Sequence, residues 1–201
     1  AALAVSAGAD ALGLVAAMPS GPGPIAEAEI ARIAAVVPPP VEPFLLTAET
    51  SADAIANQAE RLGVRTVQLV RHLDPTVLAS LRRLSPRLRL VQVIHVEGRE
   101  ALGLIPAYAP HVAAFLLDSG HPGAAVAELG GTGRVHDWAV SADFVAQSPR
   151  PVFLAGGLGA HNAADAIRRV RPFGLDLCSG LRTDGALDGR KLTDFFAAVS
   201  R

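Results

Sequence analysis

The residue best placed for proton chemistry is Asp118. It follows directly on an apolar run at residues 112–117 and precedes Ser119 and Gly120. A carboxylate at the end of a buried strand is costly unless it is solvated or paired. In a half-buried mouth the same group is well placed for general acid–base catalysis. The alternative is that Asp118 only caps the turn after the strand.

Three glycine-bearing segments in the second half of the chain are candidates for binding an anion. They are residues 130–134, 154–158 and 178–182, which read Gly-Gly-Thr-Gly-Arg, Leu-Ala-Gly-Gly-Leu and Cys-Ser-Gly-Leu-Arg. Glycines allow backbone amides to approach a ligand closely, and a helix that begins behind the second segment adds the positive end of its dipole. The alternatives are a flexible surface loop for the first segment and simple tight turns for the other two.

The elements that must position these residues alternate along the chain. Strand-like apolar runs occupy residues 9–16, 41–46, 66–70, 88–96, 112–117, 151–155 and 174–178. Helical patterns occupy residues 25–37, 51–62, 75–84, 99–108, 141–146, 160–170 and 189–199. Continuously apolar strands that alternate with helices predict a parallel sheet that is buried on both faces.

Such a sheet is either an open doubly wound sheet or a closed barrel. Seven runs preceded by a helical segment are explained by an α/β fold of the (β/α)8 TIM-barrel type whose first strand is missing from the 201 residues. No composition shift divides the chain, so residues 1–201 are expected to form a single (β/α) barrel domain. In such barrels the active site lies at the C-terminal ends of the strands, and phosphate sites commonly form after the last two.

The composition excludes several classes of protein. Eighteen basic against 19 acidic residues leave a formal net charge of −1, so neither nucleic acid nor a membrane surface is an expected partner. Cys178 is the single cysteine, which rules out a disulfide framework and favours the cytoplasm. The histidines show no ligand spacing, so no metal is expected, and no apolar run is long enough to cross a bilayer.

In this order the motifs resemble phosphoribosylanthranilate isomerase of tryptophan biosynthesis over nearly the whole chain. The matching stretches are residues 7–13, 67–69, 116–119, 130–133 with Asp137 and Trp138, 154–158 with Asn162, and Asp176 with Ser179 and Gly180. The resemblance implies a (β/α)8 barrel without metal or organic cofactor. It also implies an Amadori rearrangement, in which an aminoaldose phosphate becomes an aminoketose phosphate.

The resemblance also implies roles for particular residues. Asp118 is the general acid that protonates the furanose ring oxygen, after which a base removes the proton from sugar C2. Asp176 lies near the amine of the substrate. The phosphate of this small-molecule substrate is bound by three loops, at Gly131, Thr132 and Gly133, at Gly156 and Gly157, and at Ser179 and Gly180.

Three departures from the family pattern leave other functions open. The family's base is a cysteine in a Lys-Ile-Cys-Gly-type motif on the first strand, and the 201 residues contain no such motif. Gly23 stands where the family has the arginine that holds the anthranilate carboxylate, a bidentate contact that glycine cannot make. Arg71 and Arg182 replace a glycine and a glutamate, and each is either a new carboxylate ligand or a solvated charge.

The alternatives to the family's own reaction are isomerisation of a different phosphorylated aminosugar and a non-catalytic barrel that binds a phosphosugar. The oligomeric state is open between monomer and homodimer. Cys178 is either a substitute base or a small buried residue. His95 either faces the mouth or sits satisfied in the core, and His136 is either part of a lid or a solvated loop residue. Trp138 is expected to anchor the helix that follows it.

Overall fold

The structure is a computed structural model that describes residues 1–19, 23–120 and 136–200. Its parallel strands are β1 (Ala11–Val15), β2 (Glu42–Thr47), β3 (Thr66–Leu69), β4 (Arg89–His95), β5 (Ala114–Asp118), β6 (Val152–Leu154) and β7 (Gly174–Leu175). Its helices are α1 (Ala2–Ala7), α2 (Glu27–Val36), α3 (Ala52–Leu62), α4 (Pro75–Leu84), α5 (Ile105–Tyr108), α6 (Trp138–Gln147), α7 (Ala163–Val170) and α8 (Gly189–Val199).

The seven strands form one parallel sheet in the order β1-β2-β3-β4-β5-β6-β7. A doubly wound sheet would reverse its strand order at a switch point. The rings of Phe44 on β2 and Phe153 on β6 contact each other with centroids 6.1 Å apart, although the two strands are four positions apart in the sheet. Because neighbouring strands lie about 4.8 Å apart, a flat sheet would separate them by roughly 19 Å. The sheet is therefore curled into a half-barrel, and the doubly wound alternative is excluded.

The sheet separates two apolar layers. On its concave face Val91 and Val93 of β4 pack with Leu116 of β5. On its convex face Ile94 and Leu117, from the same two strands, belong to the larger cluster that packs against the helices. Successive side chains of a strand point to opposite faces, so strands with both faces covered read as the continuous apolar runs seen in the sequence.

Polar caps fix where several helices begin. The side chains of Asp74, Asp137 and Asp188 accept hydrogen bonds from backbone N–H groups in the first turns of α4, α6 and α8, which satisfies donors that a helix start leaves free. The Asp137 cap explains why α6 begins at Trp138 rather than at the predicted residue 141. Trp138 is buried and anchors this helix, as predicted.

The helix predicted at residues 99–108 is wrong in type for its first part. The chain forms a 3-10 helix over Arg99–Leu104 before α5 begins. Pro106 stands in the first turn of α5, and it has no N–H with which to continue an α-helix from the preceding turn.

The last strand is shorter than the predicted residues 174–178. β7 pairs only with β6, which itself ends at Leu154, so the ladder stops at Leu175. A short 3-10 helix (Ser179–Leu181) and an antiparallel hairpin, β8 (Arg182–Thr183) with β9 (Ala186–Leu187), follow it, and neither was predicted. None of the helices in the described ranges has both the length and the apolar character needed to span a bilayer.

Candidate functional site

Asp118 is the last residue of β5 and is buried. Its position in the strand, two residues after Leu116, places its side chain on the concave face. The carboxylate oxygen Oδ1 accepts a hydrogen bond of 2.7 Å from the backbone N–H of Ser119. Loss of hydration on burial raises the pKa of Asp118, and this outweighs the opposing effects of the Ser119 hydrogen bonds and the charge of His95. The group is suited to carrying a proton at higher pH than an ordinary aspartate.

His95 lies beside Asp118 and on the same face of the sheet. The two residues are register partners at the ends of β4 and β5, and the side chain of His95 is only 5% exposed. Its Nε2 lies 3.1 Å from the carbonyl oxygen of Val70. A carbonyl only accepts hydrogen bonds, so Nε2 carries the proton. Nδ1 is enclosed and has no hydrogen-bond partner. Of the two interpretations of His95, the structure supports the one in which its side chain faces the mouth.

Asp176 follows β7 and stands close to Asp118 from the other side of β6. Its backbone N–H donates to the carbonyl oxygen of Leu154 at 2.8 Å, which ties it to the end of β6. Burial, and then the charge of Asp118, raise the pKa of Asp176 to about 6. Two carboxyl groups that repel each other do not both ionise readily. The pair can therefore hold a proton near neutral pH.

The segments that carry Gly156, Gly157 and Gly180 meet at the mouth of the half-barrel, as the predicted anion site requires. Gly156 and Gly157 have φ values of +86° and +62°, which L residues with side chains adopt at a cost. A Cβ atom at Gly156 would lie 2.8 Å from Oγ of Ser119, and one at Gly180 would overlap the carbonyl oxygen of Leu158. Glycine at these positions therefore allows the ends of β5 and β6 and the segment after β7 to approach one another.

Asn162 holds the segment after β6 in place. Its Nδ2 donates to the carbonyl oxygen of Gly157 at 3.0 Å, and its Oδ1 accepts from the backbone N–H of Gly159 at 2.9 Å. The sequence named Asn162 only as part of a motif and gave it no role. A signal was present, because asparagine just before a helix commonly bonds to nearby backbone groups.

Other predicted positions have mixed outcomes. Ser179 is the exposed first residue of the 3-10 helix after β7, next to Gly180. Gly131, Thr132 and Gly133 lie outside the described residues. Cys178 is a free, partly exposed thiol.

His136 is not the solvated loop residue that the sequence favoured. Its Nε2 lies 2.7 Å from Oγ of the buried Ser141, and burial lowers its pKa to about 4. Its Nδ1 would lie 3.2 Å from a Cβ atom at Gly156. The imidazole is therefore neutral at neutral pH and packs behind the glycine turn. Its position one residue before the cap of α6 was the signal that the prediction missed.

The two arginines that depart from the family pattern differ in their surroundings. Arg182 donates through Nη1 to the carbonyl oxygen of Gly185 at 2.8 Å, so it stabilises the turn of the β8–β9 hairpin. Arg71, two residues after β3, has an enclosed Nε without a hydrogen-bond partner. Gly23 has a φ of +96°. Among the described residues no cluster of three or more histidine, cysteine or acidic side chains is arranged to hold a metal ion.

Known proteins are similar to this chain in sequence and in architecture. The sequence model of N-(5'-phosphoribosyl)anthranilate (PRA) isomerase matches residues 15–198. The chain is similar to N-(5'-phosphoribosyl)anthranilate isomerase 2 of Methanosarcina mazei, with 36% identity over 197 residues, 96% of this chain and 85% of that protein. It is similar in structure to phosphoribosyl anthranilate isomerase from Thermotoga maritima, with a TM-score of 0.81, 26% identity, and coverage of 99% of this chain and 92% of that one.

A further solved phosphoribosyl anthranilate isomerase holds reduced 1-(o-carboxyphenylamino)-1-deoxyribulose 5-phosphate. It has a TM-score of 0.78 with this chain and 24% identity, and the match covers 99% of this chain and 91% of that one, which supports the shared fold. The match of the sequence model to most of the chain, together with 36% identity to a curated relative, decides the assignment. This chain belongs to the N-(5'-phosphoribosyl)anthranilate isomerase family.

Proposed function

We propose that the protein isomerises N-(5'-phosphoribosyl)anthranilate by an Amadori rearrangement, with Asp118 as general acid. Family membership supports the reaction. The observation that carries the assignment of the acid is the buried carboxyl of Asp118 at the end of β5, with its pKa raised by burial. A general acid must carry a proton and stand where the substrate reacts, and the raised pKa of Asp118 and its position at the end of β5 support this role.

The acid step consists of one proton transfer. Asp118 donates its proton to the furanose ring oxygen, the bond from that oxygen to C1 breaks, and a Schiff base forms between C1 and the amine nitrogen. The N–H of Ser119, which donates to Oδ1 at 2.7 Å, stabilises the carboxylate that remains. Loss of the proton from sugar C2 then gives an enolamine, which tautomerises to the aminoketose phosphate.

Asp176 and the glycine segments hold the substrate in this scheme. Asp176 accepts a hydrogen bond from the substrate amine. It lies close enough to Asp118 for the charge of that group to raise its pKa. Backbone N–H groups around Gly156, Gly157, Ser179 and Gly180 bind the phosphate, together with Gly131, Thr132 and Gly133. The contact between Gly180 and Leu158 supports this arrangement, because it brings the segments after β6 and β7 together.

The resemblance implies that the base for sugar C2 is a cysteine on the first strand of the barrel, and no residue of the 201 is assigned to that role. The consecutive order of the seven strands and their curvature support our proposal of a single (β/α)8 barrel domain over residues 1–201. In this proposal a further strand between the two edge strands, β7 and β1, closes the barrel.

The test is the loss of phosphoribosylanthranilate fluorescence on addition of the purified natural-length protein. Asp118→Asn removes the transferable proton and keeps the shape of the side chain, so turnover is expected to fall about 100-fold or more. Asp194→Asn is the matched control, because Asp194 is exposed on α8 and is not among the residues placed at the mouth. Turnover near the wild-type rate in Asp118→Asn would remove Asp118 from the mechanism.

A further inference from the structure

We infer that Arg71 binds the aryl carboxylate of the substrate and is a specificity-determining residue of the site. The inference rests on the proposed function, because that function supplies a substrate with two anionic groups. The phosphate is attached to the sugar, and the carboxylate is on the aromatic ring at the other end of the molecule. Since the glycine segments after β6 and β7 take the phosphate, the carboxylate needs a partner on another part of the rim.

The position of Arg71 in the sheet meets this requirement. Arg71 follows β3, and β3 and β7 are four positions apart in the strand order. The contact between Phe44 of β2 and Phe153 of β6 spans an interval of four positions too, and there the two rings meet across the concave face. The end of β3 therefore stands across the mouth from the end of β7. A ligand whose phosphate is bound at the end of β7 and which spans the mouth therefore reaches the end of β3, where Arg71 follows.

The guanidinium of Arg71 is free to donate hydrogen bonds to a carboxylate. Its Nε is enclosed and has no hydrogen-bond partner, and within the described residues the side chain makes no ion pair. An enclosed, unpaired donor of a charged group is unfavourable, and a planar carboxylate matches the geometry of guanidinium donors. The backbone of Arg71 is already fixed, because its carbonyl oxygen accepts from Nε2 of Gln92 at 2.9 Å.

No other cation competes for this role on the same side of the mouth. The segments after β1 and β2, residues 16–26 and 48–51, contain neither lysine nor arginine. Arg99, which follows β4, pairs with Asp143 at 2.8 Å. The pKa of His72 is lowered by loss of hydration and then by the charge of His95, which favours its neutral form. Arg71 is thus the cation that this side of the rim offers to an anionic group.

The experiment compares two ligands on three proteins by isothermal titration calorimetry. The ligands are reduced 1-(o-carboxyphenylamino)-1-deoxyribulose 5-phosphate and its phenylamino counterpart, which lacks only the carboxylate. The proteins are the wild type, Arg71→Gln and the control Arg99→Gln. Arg71→Gln is expected to lower the affinity for the carboxylated ligand about 10- to 100-fold and the affinity for the other ligand less than about twofold. Arg99→Gln is expected to weaken neither.

Equal losses for both ligands, or no loss for either, would overturn the role of Arg71. If Arg71→Gln does not fold, Arg71→Lys takes its place. Lysine keeps the charge but lacks the two-donor geometry, so it should also weaken the carboxylated ligand selectively.

Turnover separates this inference from the proposed function. If Arg71→Gln selectively weakens binding of the carboxylated ligand but the wild type does not isomerise phosphoribosylanthranilate, the proposed function is wrong and Arg71 remains the carboxylate ligand. If Arg71→Gln isomerises phosphoribosylanthranilate normally with an unchanged KM, the role of Arg71 in binding the carboxylate is wrong and the proposed function stands. A wild type that binds neither ligand would overturn both.

Discussion

The two sides of the mouth are built in different ways. The side formed by the ends of β5, β6 and β7, called here the chemical rim, brings Asp118, Asp176 and the glycine segments together through contacts between backbones. The side formed by the ends of β1, β2 and β3, called the aryl rim, offers one unpaired cation, Arg71. In the proposed mechanism, reaction chemistry depends on close backbone packing, whereas recognition of the aryl group depends on a single side chain that can be exchanged.

This difference accounts for the departure from the family pattern at Arg71, whereas Arg182 lies beyond Gly180 and stabilises the β8–β9 hairpin. An exchange at Arg71 leaves the sheet intact, since the backbone there is held by Gln92 whatever the side chain. An exchange at Gly180 has no such freedom, because a Cβ atom would overlap a backbone carbonyl. Substrate selectivity can therefore change on the aryl rim without loss of the chemistry on the chemical rim.

The largest effect on the chemical rim is expected from Gly180→Ala. The added Cβ meets the carbonyl oxygen of Leu158, which is backbone and cannot turn aside, so the segments after β6 and β7 must separate. We expect the free energy of unfolding to fall by about 3 kcal/mol, and phosphate affinity to fall with it. Urea denaturation and titration with inorganic phosphate are the measurements.

Gly103→Ala is the control for that substitution. A Cβ atom at Gly103 has no neighbour within 4 Å, so its stability and phosphate affinity should match the wild type. A Gly180→Ala protein as stable as this control would show that the two segments do not need the close approach.

Some of this arrangement was predictable from the sequence, and some was not. Continuous apolar runs predicted the parallel strands, and the glycines at their ends predicted an anion site that stays a prediction, although the segments carrying Gly156 and Gly180 do approach each other. Local pattern did not decide between an open sheet and a curled one, because the contact between Phe44 and Phe153 joins residues far apart in the chain. The face on which His95 lies was also open, since a long apolar strand shows no alternation from which to read its phase.

The shorter β7 and the burial of His136 could not be predicted from local sequence pattern, for a similar reason. A strand that pairs on one side only is as long as its partner allows, and β6 ends at Leu154. The surroundings of His136 come from Ser141 and Gly156, which belong to different elements. In each case the contact that decides the outcome is made with a residue in another element.

The next effect in size concerns the pair of carboxyl groups. Asp176 has a folded pKa of about 6 against an ordinary value of 3.8, so the folded protein binds more protons than the unfolded chain between these values. Stability from this group is present below pH 3.8 and is lost as the pH rises through about 6. Asp176→Asn should therefore be more stable than the wild type above pH 6 by about 1 to 3 kcal/mol, with the difference vanishing near pH 4.

Thermal unfolding from pH 4 to pH 8 measures this, with Asp194→Asn as the exposed control. A stability difference that stays constant over that range would show that Asp176 does not carry the proton. The same experiment on Arg71→Gln should show no such pH dependence, because no carboxyl group on the aryl rim pairs with Arg71 in the described structure.

The smallest effect is expected from Asn162→Ala. Two hydrogen bonds are lost, to the carbonyl oxygen of Gly157 and from the N–H of Gly159, which costs about 1 to 2 kcal/mol of stability. Because these bonds shape the segment that we propose binds phosphate, affinity for inorganic phosphate should fall more than the stability change explains. Affinity for the aryl group should hold, since Arg71 stands across the mouth. Competition by a benzoate that carries no phosphate measures the second quantity, and an equal loss of both affinities would mean that the two rims do not act separately.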